Sequence, residues 1–113
     1  MSDFTQLRET VCRGNQELAA SGLVMGTFGN LSVIDRGAAA FAIKPSGIAY
    51  AAMSPADIVI ISVDTGDVVE GDLKPSTDTP THLELYRAFT CGAIAHTHSE
   101  FATMYAQARV GVR

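Results

Sequence analysis

The chain has only two cysteines, Cys12 and Cys91, and they form no Cys-x-x-Cys pair. That excludes a disulfide framework, and neither cysteine has a neighbouring motif that would make it reactive, so free thiols in a reducing compartment are expected. Basic residues are also few. Eight Lys and Arg stand against twelve Asp and Glu, for a net charge of −4 with no basic cluster, which argues against a nucleic-acid surface. No apolar run approaches the length of a membrane span, and the first ten residues lack the basic-then-apolar layout of a signal peptide. There is no internal repeat, linker or low-complexity stretch. The expectation is one cytoplasmic domain over residues 1–113, with no membrane or nucleic-acid partner. A hydrophobic fraction of 47% is ordinary for a globular chain and excludes disorder.

Local patterns predict the elements. Phe4, Leu7, Val11 and Leu18 form one apolar stripe of a helix over 3–21, capped by Ser2 or Asp3 and stopped by Gly22, with Gly14 a weak point inside it. Residues 23–34 read as a strand interrupted by Gly26 and Gly29. Asp35-Arg36-Gly37 reads as a hairpin turn and Ala40 to Ile43 as its return. Ser54-Pro55-Ala56-Asp57 opens at most one helical turn. Ile58 to Val63 is a buried strand by its β-branched run, and Val68-Val69-Glu70 pairs back on it after a turn at Asp64–Asp67. Thr79 caps and Pro80 opens a helix to about Phe89, with Leu83, Leu85, Tyr86 and Phe89 on its apolar side. A strand over Ala93–His98 and a helix over Phe101 to about Ala108 follow. This pattern is α/β, with helices on the faces of a mixed or antiparallel sheet.

Two neighbouring features carry chemistry. His96 and His98 lie two apart at the end of a short apolar strand, so both imidazoles point to one face. With a nearby carboxylate they would form the ligand set of a zinc or manganese site, and Asp78 is the obvious carboxylate. It sits in the hydroxyl-rich loop Pro75-Ser76-Thr77-Asp78-Thr79-Pro80, next to a helix start whose free N–H groups favour an anion. A His-x-His pair alone is as well explained by a half-exposed strand. Lys44-Pro45-Ser46-Gly47 sets a cation, a hydroxyl and a flexible backbone at a strand end, which suits a phosphate but also suits a surface turn. Gly29-Asn30 offers a backbone N–H and an amide, although a plain turn explains it locally. His82, in the first turn of the helix, reads as orienting the loop rather than as a ligand.

The stretches Gly29-Asn30-Leu31-Ser32, Ile43–Tyr50, Val63–Gly71, Lys74–His82 and Ala95–Ser99, in this order and spacing, resemble the class II aldolase/adducin family. Within it they are most similar to the L-ribulose-5-phosphate 4-epimerases. The resemblance runs from about residue 4 to Ala108. It implies an α/β/α sandwich around a mainly antiparallel sheet, and homotetramers with sites at subunit interfaces. It implies a divalent metal, usually zinc and alternatively manganese, held by His96, His98 and, in the epimerases, Asp78. Where the sugar-phosphate aldolases carry an acid/base glutamate, this chain has Asp78, which points to the epimerases. Gly29, Asn30, Ser46, Gly47, Ser76 and Thr77 match phosphate-binding positions, with Lys44 the nearby cation. Thr77 stands where serine is more usual and keeps the hydroxyl.

The implied reaction is retro-aldol cleavage at C3–C4 of L-ribulose 5-phosphate, followed by re-addition to the other aldehyde face to give D-xylulose 5-phosphate. The family domain runs roughly twice as far. Its remaining half carries a third histidine ligand, a further acid/base aspartate and a tyrosine. The 113 residues are therefore expected to be the N-terminal part of such a domain, whether truncated, frameshifted or a fragment, and nearly inactive alone. The rival readings are a class II aldolase on a related sugar phosphate and a non-enzymatic adducin-like module, which usually lacks the histidines.

Overall fold

The computed structural model describes residues 4–21 and 30–96. Helix α1 spans Thr5–Ala20, followed by strands β1 (Asn30–Asp35), β2 (Ala40–Ile43), β3 (Val59–Ser62) and β4 (Val68–Glu70), helix α2 (Thr79–Ala88) and strand β5 (Ala93–His96). Single 3-10 turns lie at Tyr50–Ala52 and Pro55–Asp57, the second closed by reciprocal Ser54 and Asp57 hydrogen bonds. The sheet has five strands in the order β4-β3-β2-β1-β5, and every pairing is antiparallel. Four strands form a meander. Helix α2 then carries the chain back so that β5 lies against β1.

The two faces follow from strand alternation. In β2, Ala40 and Ala42 face α1, packing with Phe4, Val11, Cys12, Ile58 and Ile60. Phe41 and Ile43 face the other way, packing with Ile34, Val59, Ile61 and Tyr86 of α2. Small residues let α1 approach closely, while large ones fill the space below α2. A helix on each face makes the α/β/α arrangement expected from the sequence.

Helix α1 is fixed by polar contacts as well. Asn15 is fully buried; its Nδ2 donates to the Val11 and Leu31 carbonyls at 2.7 and 2.9 Å, and its Oδ1 accepts from the Leu31 N–H at 2.8 Å. It thus stands in for a neighbouring strand at Leu31. Gly14 lies where β1 crosses the helix. A Cβ there would come within 2.9 Å of Leu31 Cδ2, so the glycine that weakens the helix locally also allows the contact. The residue flanking the helix start is Phe4, with no side-chain cap; the expected caps Ser2 and Asp3, and the stop at Gly22, lie outside the described residues. The interrupted part of the first strand, with Gly26 and Gly29, and the helix expected over 101–108 lie outside them too.

The far end of α2 is held by Arg36 from the β1–β2 turn. Its guanidinium donates to the carbonyls of Tyr86, Phe89 and Cys91 at 3.0, 2.7 and 2.9 Å, and its charge suits the negative helix end. The helix stops at Ala88, and Phe89, expected on its apolar side, is exposed.

Candidate functional site

The site forms where three chain segments meet at one end of the sheet. Two of them are Lys-Pro-Ser stretches. Lys44-Pro45-Ser46 leaves β2 and Lys74-Pro75-Ser76 approaches α2, and they run antiparallel with Pro45 opposite Pro75. Neither proline has an N–H to donate, so the ladder bonds fall on their neighbours: Ser46 N–H donates to the Lys74 carbonyl at 2.8 Å, and Ser76 N–H to the Lys44 carbonyl at 3.0 Å. A non-hydrogen-bonded pair is a place in a ladder where two prolines can face each other without loss. Ser46, Gly47 and Thr77 are exposed around this junction, and Gly47 turns at φ +78° with open space around it.

The third segment is the β1–β5 pair. Asn30 lies opposite His96 in register, so their side chains leave the sheet on the α2 face. Asp78, just before α2, meets both. His96 Nδ1 and Asp78 Oδ2 share a hydrogen bond of 2.5 Å, and Asn30 Nδ2 donates to the same oxygen at 2.8 Å. The other Asn30 N–H donates to Ser76 Oγ at 3.0 Å. Burial works against the ionised form of Asp78, but hydrogen bonds from His96 and Asn30, with the charges of His96 and His82, outweigh it. The carboxyl is held below its usual range.

These bonds revise how α2 begins. Asp78, not Thr79, occupies the cap position, and its carboxylate makes no cap bond because it is turned toward Asn30 and His96. Thr79 instead bonds back to the Ser76 carbonyl through its hydroxyl, at 2.6 Å, and its N–H, at 3.0 Å. The Asp78 N–H is taken by Ser76 Oγ at 3.2 Å, and Pro80 has none. Of the free N–H groups expected at the helix start, those of Asp78 and Thr79 are therefore taken within the loop.

Lys44 is placed differently from a surface cation. It is 2% exposed, its ammonium donates to the Pro45 carbonyl at 3.1 Å, and it sits 5.1 Å from the Tyr50 ring centroid. Burial pulls its pKa down. Its charge lies beneath the Pro45–Gly47 turn rather than at its surface.

His82 also departs from expectation. Its ring turns not to the loop but to β1, where Nδ1 lies 2.6 Å from Ser32 Oγ, and Ser32 Oγ lies 2.7 Å from Tyr86 OH. The ring is 1% exposed and Nε2 has no hydrogen-bond partner among the described residues. Desolvation pushes its pKa down to about 4, against the pull of Asp78, so it is neutral at pH 7. Burial likewise raises the Tyr86 phenol far above its usual range. Sequence reading missed this Ser32–His82–Tyr86 chain. The available signal was the four-residue spacing of His82 and Tyr86, which places both on one helix face.

A divalent cation can be tested against the donor set. Asp78 and His96 bring one carboxylate and one imidazole together, which is suitable chemistry for zinc or manganese. Asn30 and His96 both occupy Oδ2 of Asp78, and Oδ1, half-buried, has no hydrogen bond among the described residues. Among the described residues no third His, Cys, Asp or Glu completes the set. His98, expected as the next ligand, and Gly29, expected at the phosphate, lie outside the described residues.

The sequence profile of the Class II Aldolase and Adducin N-terminal domain matches residues 9–112. The chain belongs to the class II aldolase and adducin family. Solved structures agree. The chain is similar to an L-fuculose 1-phosphate aldolase at 35% identity and TM-score 0.81, covering 92% of this chain and 49% of that one. It is similar to YgbL of Escherichia coli, a putative aldolase/epimerase/decarboxylase, at 31% identity and TM-score 0.74, covering 84% and 45%. An L-fuculose-1-phosphate aldolase of Thermus thermophilus matches at 30% identity and TM-score 0.66, covering 84% and 47%. The chain thus spans about half the length of these class II relatives. Among the described residues no helix is long and apolar enough to cross a membrane.

Proposed function

We propose that this chain carries the anion-binding half and part of the metal-binding half of a site that makes or breaks a carbon–carbon bond in a sugar phosphate. The observation that supports this reading is the junction of Asp78, His96, Asn30 and Ser76 beside the paired Lys-Pro-Ser turns. Ser46, Gly47, Ser76 and Thr77 would take the phosphate, with the Lys44 charge behind them. Asp78 and His96, joined by His98, would hold a divalent cation, zinc before manganese. When bound, that cation supplies Lewis-acid stabilisation of the negative charge developed by retro-aldol cleavage. The phosphate contacts would hold the cleaved aldehyde while it turns, which is what separates epimerisation from release.

Within this class we favour the 4-epimerase reading, L-ribulose 5-phosphate to D-xylulose 5-phosphate, because an aspartate stands at position 78. The aldolase reading is favoured by the names of the similar structures, two of them L-fuculose-phosphate aldolases. An adducin-like module without activity is the third reading, and the presence of both His96 and His98 weighs against it. The cytoplasmic and homotetrameric expectations accompany the family reading.

Binding separates these readings without relying on turnover, which is expected to be nearly lost in the 113 residues alone. L-ribulose 5-phosphate and L-fuculose 1-phosphate are titrated calorimetrically into the chain with zinc present. Tighter zinc-dependent binding of the ribulose phosphate supports the epimerase, and tighter binding of the fuculose phosphate supports the aldolase. Failure of both to bind with zinc overturns the sugar-phosphate reading. Asp78→Ala and His96→Ala should each abolish the zinc dependence.

A further inference from the structure

We propose that Lys74 is the second cation of the anion site, an exposed ammonium that closes on the phosphate from the solvent side while the Lys44 charge supports it from beneath. This rests on the sugar-phosphate reading and adds a specificity-determining residue to it. The charge of the ligand calls for one. A phosphate monoester carries about −1.5 to −2 at pH 7. The chain, at −4, repels it overall. Lys44 is 2% exposed and tied to the Pro45 carbonyl, so its single charge stays below the turn. The N–H groups of Asp78 and Thr79 are taken within the loop, so the first positions of α2 do not supply the balance.

The basic side chains leave one candidate. Six Lys and Arg lie among the described residues. Arg8 pairs with Glu70 at 2.7 Å, and Arg87 donates to the Val63 and Asp64 carbonyls at 2.9 and 3.2 Å. Arg36 holds the far end of α2, and Lys44 lies under its turn. Arg13 is exposed, but on α1, which packs on the other face of the sheet. Lys74 remains. It is exposed, and no carboxylate among the described residues pairs with it.

The backbone sets this lysine at the junction. Pro45 faces Pro75, so Lys74 lies opposite Ser46 just as Lys44 lies opposite Ser76. The Ser46 N–H donates to the Lys74 carbonyl at 2.8 Å, which ties the root of the lysine to the turn that carries Ser46 and Gly47. Residues opposite one another across such a pair have neighbouring side chains. A solvated surface lysine would share the exposure of Lys74 but not this register. The two Lys-Pro-Ser stretches thus put one charge beneath the junction and one at its surface. The buried charge is fixed. The exposed one is a point charge on a flexible stem with three donors, able to follow an anion in and out.

The test titrates inorganic phosphate into the 113-residue chain at low and high salt, with Zn²⁺ binding measured alongside. Lys74→Gln should weaken phosphate binding about tenfold, the order of one charge-assisted hydrogen bond, and make it less sensitive to salt. Lys74→Arg should keep most of the affinity. Arg13→Gln, an equal charge change on the α1 side, should leave it unchanged, and Zn²⁺ affinity should be the same in all variants. In wild type, phosphate should move the ¹³Cε signal of Lys74. The inference is overturned if Lys74→Gln binds phosphate as tightly as wild type, or if Arg13→Gln loses as much, which would make net charge the cause. Equal losses of Zn²⁺ and phosphate affinity in Lys74→Gln overturn it too, since the whole junction would then be damaged. In each of these cases wild type still binds phosphate and the sugar-phosphate reading stands. A wild-type chain that does not bind phosphate overturns that reading, and this inference with it.

Discussion

The two faces of the sheet handle buried polar groups in opposite ways. On the α1 face, Asn15 is buried with every polar side-chain atom paired, and the buried Lys44 ammonium beside Tyr50 donates to the Pro45 carbonyl. On the α2 face, Asn30 and His82 are similarly buried, yet each keeps one polar atom without a partner among the described residues. Both faces are cut from the same strands, since Phe41 and Ala42 are adjacent residues pointing apart. The difference is therefore in the task of the layers, not in their backbone. The α2 face holds Asp78 and His96 in place and carries unsatisfied atoms next to them.

That contrast can be broken most strongly in the core. Phe41→Ala removes the large side chain under α2, where it packs against Tyr86 at a ring distance of 5.0 Å. A loss of about 3–5 kcal/mol is expected. The adjacent Ala42→Leu overpacks the close α1 contact and should cost about 1–3 kcal/mol. Urea denaturation of both variants checks the order; a costlier Ala42→Leu would mean that the layers have been assigned to the wrong faces.

Acid sharpens the comparison next. His82 ionises near pH 4 in the fold and near 6.5 when unfolded. Between those values the unfolded chain binds the extra proton, so stability is full above pH 6.5 and falls as the pH drops toward 4, by about 3 kcal/mol in total. His82→Leu should flatten this part of the pH–stability curve. If the slope persists in the variant, another group on the α2 face is responsible.

A smaller effect than that of Phe41→Ala is expected at the paired asparagine. Asn15→Ala leaves the Leu31 N–H and carbonyl without their partner and should cost about 1–3 kcal/mol, independent of pH in this window. Amide exchange at Leu31 should speed up in parallel. Unchanged exchange there would show that the helix–strand link does not depend on Asn15.

Much of the fold was legible locally. The turn residues Asp35-Arg36-Gly37 marked the β1–β2 hairpin, and the return strand Ala40–Ile43 appears as read. Ser54 and Asp57 marked their single turn, and Pro80 marked the start of α2. His96 and Asp78 were legible as partners from the family resemblance and the strand pattern. Thr79 as a cap was misread, because cap preference is a local average and the Ser76 carbonyl competed for its hydroxyl. His82 was misread because the residue it bonds, Ser32, is fifty positions away.

The sequence alone determined which segments are helix and strand and which face of each is apolar, because those are set by neighbours within one or two turns. It also determined the family, through several short motifs in a fixed order. Only the tertiary structure decided that Pro45 would face Pro75, that the Lys44 charge would turn inward over Tyr50, and that both N–H groups of Asn30 would be spent inside the protein. Each of those outcomes depends on residues far apart in the chain meeting at one point. A side chain's free donors and acceptors are what remains after such meetings, so they cannot be counted before the chain has closed.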